Sequence, residues 1–143
     1  MRIRAIPILL VFLCSAAGLA ADKKPLTVDD MWAVQRVGSP ALSPDGKTVA
    51  YTVSVYDMEE NRGNGDVWTV PLAGGTPRRL TTNKASDGSP AWSPDGKRIA
   101  FTSKREDDKV GQLYVISVDG GEPERVTEMP LAATNPKWLP DGK

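Results

Sequence analysis

The 143 residues contain no histidine and a single cysteine, Cys14. Without histidine the usual general base of a serine hydrolase is missing, along with the commonest metal ligand. A lone thiol excludes an internal disulfide and a cysteine-metal cluster. Excess charge of either sign is also lacking, because 18 basic residues face 18 acidic ones. Nucleic acid and anionic membrane surfaces, which call for a basic footprint, are therefore not expected partners. No apolar run approaches the roughly 20 residues that cross a bilayer, and the stretch from Ile6 to Leu13 is too short for a permanent membrane anchor. The G-x-S-x-G pattern of a nucleophile elbow occurs nowhere.

The first twenty residues form a region of their own. Arg2 and Arg4 lead into the apolar run, which gives way to the small residues Ser15-Ala16-Ala17-Gly18-Leu19-Ala20. This is the pattern of a secretory signal peptide cleaved after Ala20. Cys14 lies inside the removed segment and follows Leu13, where a lipid-modified cysteine follows a small residue. The mature chain is then thiol-free and, having lost two arginines, slightly acidic. The expected location is periplasmic or extracellular. At 40% hydrophobic and 25% charged, the whole chain has the composition of a soluble globular protein.

The mature chain repeats itself. SPALSPDGKTVAYTVS from residue 39 returns as SPAWSPDGKRIAFTSK from residue 89, and a third copy, NPKWLPDGK, occupies 135–143. Proline at the second turn position and glycine at the end predict a hairpin at Ser43-Pro44-Asp45-Gly46 and again at Ser93-Pro94-Asp95-Gly96. A second module, DVWTVPLAGGTPRRLT at 66–81, matches QLYVISVDGGEPERVT at 112–127. Its strands place Trp68, Val70 and Leu72 on one face, with Tyr114, Ile116 and Val118 in the next copy. The opposite face is also largely apolar, so each sheet is covered on both sides.

Four strands per unit of 40 to 50 residues is the pattern of a β-propeller blade. The predicted fold is all-β: a partial propeller of two four-stranded antiparallel blades and the start of a third, preceded by a signal peptide and a short helix. The expected divisions are 1–20 signal peptide, 21–38 linker and short helix, 39–88 first blade, 89–134 second blade and 135–143 the opening of the third. The helix is read from Thr27 as cap, through Asp29 and Asp30, to Gly38. Closed propellers have about four to eight blades, so the sequence is expected to be an amino-terminal fragment.

No catalytic, cofactor-binding or metal-binding residue is assigned. The run Arg105-Glu106-Asp107-Asp108-Lys109 lacks the spaced ligands of a calcium loop and is read as surface charge on a hairpin tip. Gly63-Asn64-Gly65 has no third glycine where a dinucleotide loop requires one, and is read as a turn ahead of a strand. Trp68, Trp92 and Trp138 are read as bulky packing, because Tyr114 and Leu42 fill equivalent places. Asp45, Asp95 and Asp141 recur because the turn favours aspartate.

The SPDGK turn, the following V/I-A-Y/F strand, the GG turn and the R-L/V-T ending resemble the WD-repeat-like blades of exported bacterial proteins. More narrowly, the order from Leu26 through Thr81 resembles the amino-terminal part of prolyl oligopeptidase family serine peptidases, in the dipeptidyl and acylaminoacyl peptidase branch. The resemblance implies a propeller that gates a carboxyl-terminal α/β-hydrolase domain acting on short peptides, with none of the catalytic machinery in these residues. Some members hold a peptide's amino terminus with a glutamate pair, but theirs sits in a later insertion, so Glu59-Glu60 is read as solvated loop. The alternative is a non-catalytic periplasmic propeller of the Tol-associated type, which binds proteins. Residues 21–38 are too few for the separate domain that precedes the blades in that type. A sugar-processing propeller enzyme is a third possibility.

Overall fold

The computed structural model describes residues 24–105 and 107–143. The signal-peptide reading, with Cys14, and the place of Glu106 lie outside the described residues. Within them the chain is all-β apart from one turn and a half of helix. Two four-stranded antiparallel sheets follow one another, each a meander of consecutive neighbours. The first contains β1 (Arg36–Leu42), β2 (Thr48–Asp57), β3 (Arg62–Pro71) and β4 (Arg78–Arg79). The second contains β5 (Asp87–Trp92), β6 (Arg98–Ser103), β7 (Gln112–Ser117) and β8 (Glu124–Arg125). This is the propeller arrangement foreseen from the repeats. β1 touches β5 while β4 and β8 stay apart, so the sheets open like a fan with their first strands towards the hinge.

The recurring turn explains itself residue by residue. Gly46 N–H donates to the Ser43 carbonyl at 2.9 Å, and Gly96 does the same to Ser93. Gly46, Gly96 and Gly142 have φ of 70°, 67° and 80°, a region where a side chain is strained. The Ser43 hydroxyl donates to Asp45 Oδ1 at 2.6 Å and accepts from the Thr48 amide at 2.9 Å. Asp45 Oδ1 also accepts from the Lys47 amide. Ser93 and Asp95 repeat the arrangement. In the third copy Leu139 replaces the serine, and the Asp141 bond to the Lys143 amide remains.

Stacking follows from unlike faces. Ala50, Thr52, Val67 and Thr69 give the first sheet a face of small side chains, whereas Ile99, Phe101, Tyr114 and Ile116 give the second a bulky one, paired Ile99 to Ile116 and Phe101 to Tyr114. The two faces meet and form the core, where Ala50, Val67, Ile99 and Phe101 are wholly buried. Each large side chain buried there contributes about 1.5–3 kcal/mol. The repeat equivalents of the bulky face, Val49, Tyr51, Trp68 and Val70, lie on the other side of the first sheet and are only partly covered.

Three local readings differ from the structure. The helix α1 (Val28–Ala33) keeps its Thr27 cap and a full capping box with Asp30, but it ends at Val34 in extended backbone. Gly38 does not terminate it; that residue belongs to β1, opposite Thr52. The stretch Gly63-Asn64-Gly65 is not a turn but strand, paired with Tyr56, Val55 and Ser54, so the loop that holds Glu59 and Glu60 is only residues 58–61. Leu72 lies beyond β3 and is exposed.

Gly65 has a steric reason that a turn reading misses. A Cβ there would meet Ser86 Oγ at 2.9 Å, the Asp87 carbonyl at 3.1 Å and Ser54 Oγ at 3.1 Å, because the segment linking the sheets crosses directly over it. Its amide also donates to Ser86 Oγ. Overpacking of this kind costs about 1–3 kcal/mol. Gly65→Ala should therefore lower the urea midpoint by that equivalent, while Gly63→Ala, where the nearest atoms are at 3.9 Å, should change it little.

Candidate functional site

The residues with the most specific geometry lie along the seam between blades. Trp92, near the end of β5, donates its indole N–H to the Ala41 carbonyl of β1 at 2.9 Å. Trp138 repeats this one blade later, donating to the Ala91 carbonyl at 2.9 Å. The two tryptophans are thus directional clamps from each blade to the one before it, more than the bulky packing read from sequence. Leu42 holds the same place in the first blade, has no donor and is exposed. Arg98 lies over the Trp138 ring at 4.8 Å, adding a cationic lid to that clamp. Trp68, opposite Tyr51, belongs to the packing face and makes no such link.

Each first strand also carries an irregularity. The ladder shifts register between Gly38 and Ala41, and again between Gly88 and Ala91. Thr52 Oγ1 donates to the Gly38 carbonyl at 2.9 Å and Thr102 Oγ1 to the Gly88 carbonyl at 3.2 Å, so the carbonyl displaced by the bulge keeps a partner. Nothing in the sequence pattern distinguishes this from a plain strand entering a turn.

Several charged groups pair within and between the two sheets. Arg79 Nη2 pairs with Asp66 at 2.6 Å, and Arg78 reaches across the fan to the carbonyls of Val118 and Asp119. Asp87 is fully buried with Arg105 at 3.6 Å, and Arg105 stacks on the Tyr114 ring at 4.7 Å. Burial pushes the Asp87 and Asp66 carboxyls above the usual carboxylate range, Arg79 offsetting part of this at Asp66. At Asp108 burial acts in the same direction but is outweighed: the Tyr114 hydroxyl at 2.7 Å and Arg125 at 2.9 Å hold its carboxyl below that range. Burial and the facing carboxylate push Tyr114 up to about 12.

The charge run at 105–109 is therefore not simply a solvated tip. Arg105 and Asp108 turn inward, and Asp107 and Lys109 remain outside. The other reading of a surface loop fits: Glu59 and Glu60 are exposed, their amides are tied to Asp57 Oδ1, and Glu60 pairs with Arg62 at 2.5 Å. Asp45 and Asp95 are held below the ordinary carboxylate range by the hydroxyls of Ser43 and Ser93 and then by the amides of Lys47 and Lys97, which is turn chemistry. Asp141 sits in the same role. Among the described residues no group of three or more metal-ligating side chains is gathered. A cavity of about 430 Å³ lies on the far face of the second sheet, lined by Ala100, Leu113, Val115 and Val126 with Trp138. The contacts of this seam stack one sheet on the next.

Comparison with known proteins agrees with that geometry. The family model described as the Tricorn protease N-terminal beta propeller domain matches residues 62–143. Dipeptidyl-peptidase 5 of Porphyromonas gingivalis is 36% identical over 62 residues, which cover 43% of this chain and 9% of that protein. TolB from Acinetobacter baumannii superposes over 76% of this chain and 25% of its own, with 28% identity and a TM-score of 0.61. The Pyrococcus horikoshii acylaminoacyl peptidase does so over 69% of this chain and 15% of its own, with a TM-score of 0.54. At 24% identity the last likeness speaks for the fold alone. The chain spans a quarter or less of the length of these relatives.

Asp108 provides a titration test of the polar cluster inside the second blade. Its folded pKa is lowered, so its contribution is complete above the ordinary carboxylate value near 3.9 and is lost as pH falls below it. Asp108→Asn should destabilise the protein by about 2 kcal/mol at pH 7, the scale of hydrogen bonds to a charged group. It should also flatten the acid limb of the stability curve below pH 4, both read by urea melts across pH.

Proposed function

The chain belongs to the family of the Tricorn protease N-terminal beta propeller domain, and from that premise we propose that it forms the leading blades of the gating propeller of an exported serine peptidase that hydrolyses short peptides. The observation that carries this reading is the 36% identity to Dipeptidyl-peptidase 5 in a stack that has no histidine and no nucleophile elbow of its own. A propeller of this kind restricts entry, and the acyl transfer belongs to an α/β-hydrolase domain outside these residues. The serine there would attack the peptide carbonyl with a histidine as general base, and water would release the acyl group. Export rests on the signal-peptide pattern of residues 1–20, and the processed protein would lie in the periplasm or outside the cell.

The likeness to TolB favours a second reading, a propeller that binds proteins and catalyses nothing. The two differ in a direct chemical test. An antibody to residues 24–143 should recover from fractionated cells a polypeptide that a fluorophosphonate probe labels and whose sequence begins at Ala21. Recovery of a polypeptide that the probe leaves unlabelled would overturn the peptidase reading in favour of the binder, and a start at Met1 would overturn export. Residues 21–143 alone should hydrolyse no peptide.

A further inference from the structure

Ser39, Ser89 and Asn135 have φ of 49°, 51° and 48°, and each stands immediately before a proline. They occupy one place in the repeat, and the first two sit on β1 and β5 inside the register shift. β1 and β5, which carry the first two, touch one another, and Asn135 holds the same place in the third copy. A left-handed backbone is strained for any residue with a Cβ and free of strain for glycine. The chain uses glycine at the equally left-handed positions 46, 96 and 142 of its turns. At 39, 89 and 135 it keeps a short polar side chain instead.

The bulge itself does not need those side chains. The displaced carbonyls of Gly38 and Gly88 are already satisfied by Thr52 and Thr102. Among the described residues, the Ser39, Ser89 and Asn135 side chains make no hydrogen bond to protein. Recurrent strain at non-glycine residues with unused donors and acceptors is a mark of function. The adjoining segments 38–41 and 88–91 carry no charged side chain, and the equivalent third segment, 134–137, carries one, the exposed Lys137.

We propose that Ser39, Ser89 and Asn135 form a polar ring on the axial wall that hydrogen-bonds the main chain of an extended peptide without regard to its side-chain charge. Hydroxyl and carboxamide groups both donate and accept, which suits alternating peptide N–H and C=O groups. This inference rests on the peptide-gating reading and identifies what the wall recognises.

The test uses the full-length protein with Ser39→Gly, Ser89→Gly and Asn135→Gly, singly and together, and with Ser39→Asn as the conservative control. Glycine keeps the backbone and removes the side chain, so the melting temperature should hold or rise. KM for neutral, acidic and basic hexapeptides should increase about threefold for each group lost, with kcat unchanged, and Ser39→Asn should restore the wild-type value. An unchanged KM in a stable triple variant, or a loss confined to one charge class, would overturn the ring. If the fluorophosphonate probe leaves the protein unlabelled, the peptidase reading fails by itself, and fluorescence anisotropy with a blocked neutral hexapeptide decides the ring. Weaker binding in the glycine variants supports it; equal binding, or none to the wild type, overturns it.

Discussion

The structure depends on the inequality of the two faces of each sheet. A four-stranded meander that is apolar on both sides has to be covered twice, and the cover here is another meander. Contact is close because the faces are not alike: Ala50 and Val67 leave room that Ile99, Phe101, Tyr114 and Ile116 fill. If both faces carried rings the sheets would be held apart, and if both were small a void would remain, each costing stability. The order small against bulky also gives the stack a direction. The same rule leaves Tyr51 and Trp68 at one end and Leu113 and Val115 at the other half-covered, each suited to a further blade of the same design.

Apolar stacking alone would let the sheets slide, and polar contacts fix their register. An indole N–H has one direction, so Trp92 bound to the Ala41 carbonyl sets where β5 lies along β1. The link from the outer edge of the first sheet to the inner edge of the second is held by Gly65, whose missing side chain lets the segment at Ser86 and Asp87 cross. Towards the outside Arg78 completes the linkage by reaching the β7–β8 turn. These contacts span from 21 to 51 residues of sequence, which makes the stack a tertiary object and not a string of independent hairpins.

That distance also separates what the sequence disclosed from what it concealed. The hairpins were legible because proline and glycine fix backbone angles locally, and Pro44, Asp45 and Gly46 need no partner outside their own turn. The blade pattern was legible because alternation along β2, β3, β6 and β7 is a local property too. The indole clamps were not, since a tryptophan looks the same whether it fills space or points its N–H at a carbonyl 51 residues away. Asp108 was misread for a related reason: a run of charges shows that most must be solvated but not which one faces Tyr114 and Arg125. In the candidate site, the left-handed Ser39 and Ser89 were hidden behind the prolines that follow them, because Ser-Pro ordinarily reads as extended chain.

Differences between copies carry information that the shared pattern cannot. The first blade has Leu42 where its successors have tryptophan, so one side of it lacks the clamp used at both later seams. Its β2–β3 hairpin runs ten residues in each strand against six in the second blade, and Tyr56 on that extension packs against Trp32 of α1 at 4.6 Å. Where the indole bond is missing, the blade has acquired a helix and a longer hairpin. A stack built from one rule can vary at its ends without losing its core, because the faces between its middle sheets remain covered. The irregularities gather on the first blade, whose Tyr51 and Trp68 face is only partly covered among the described residues.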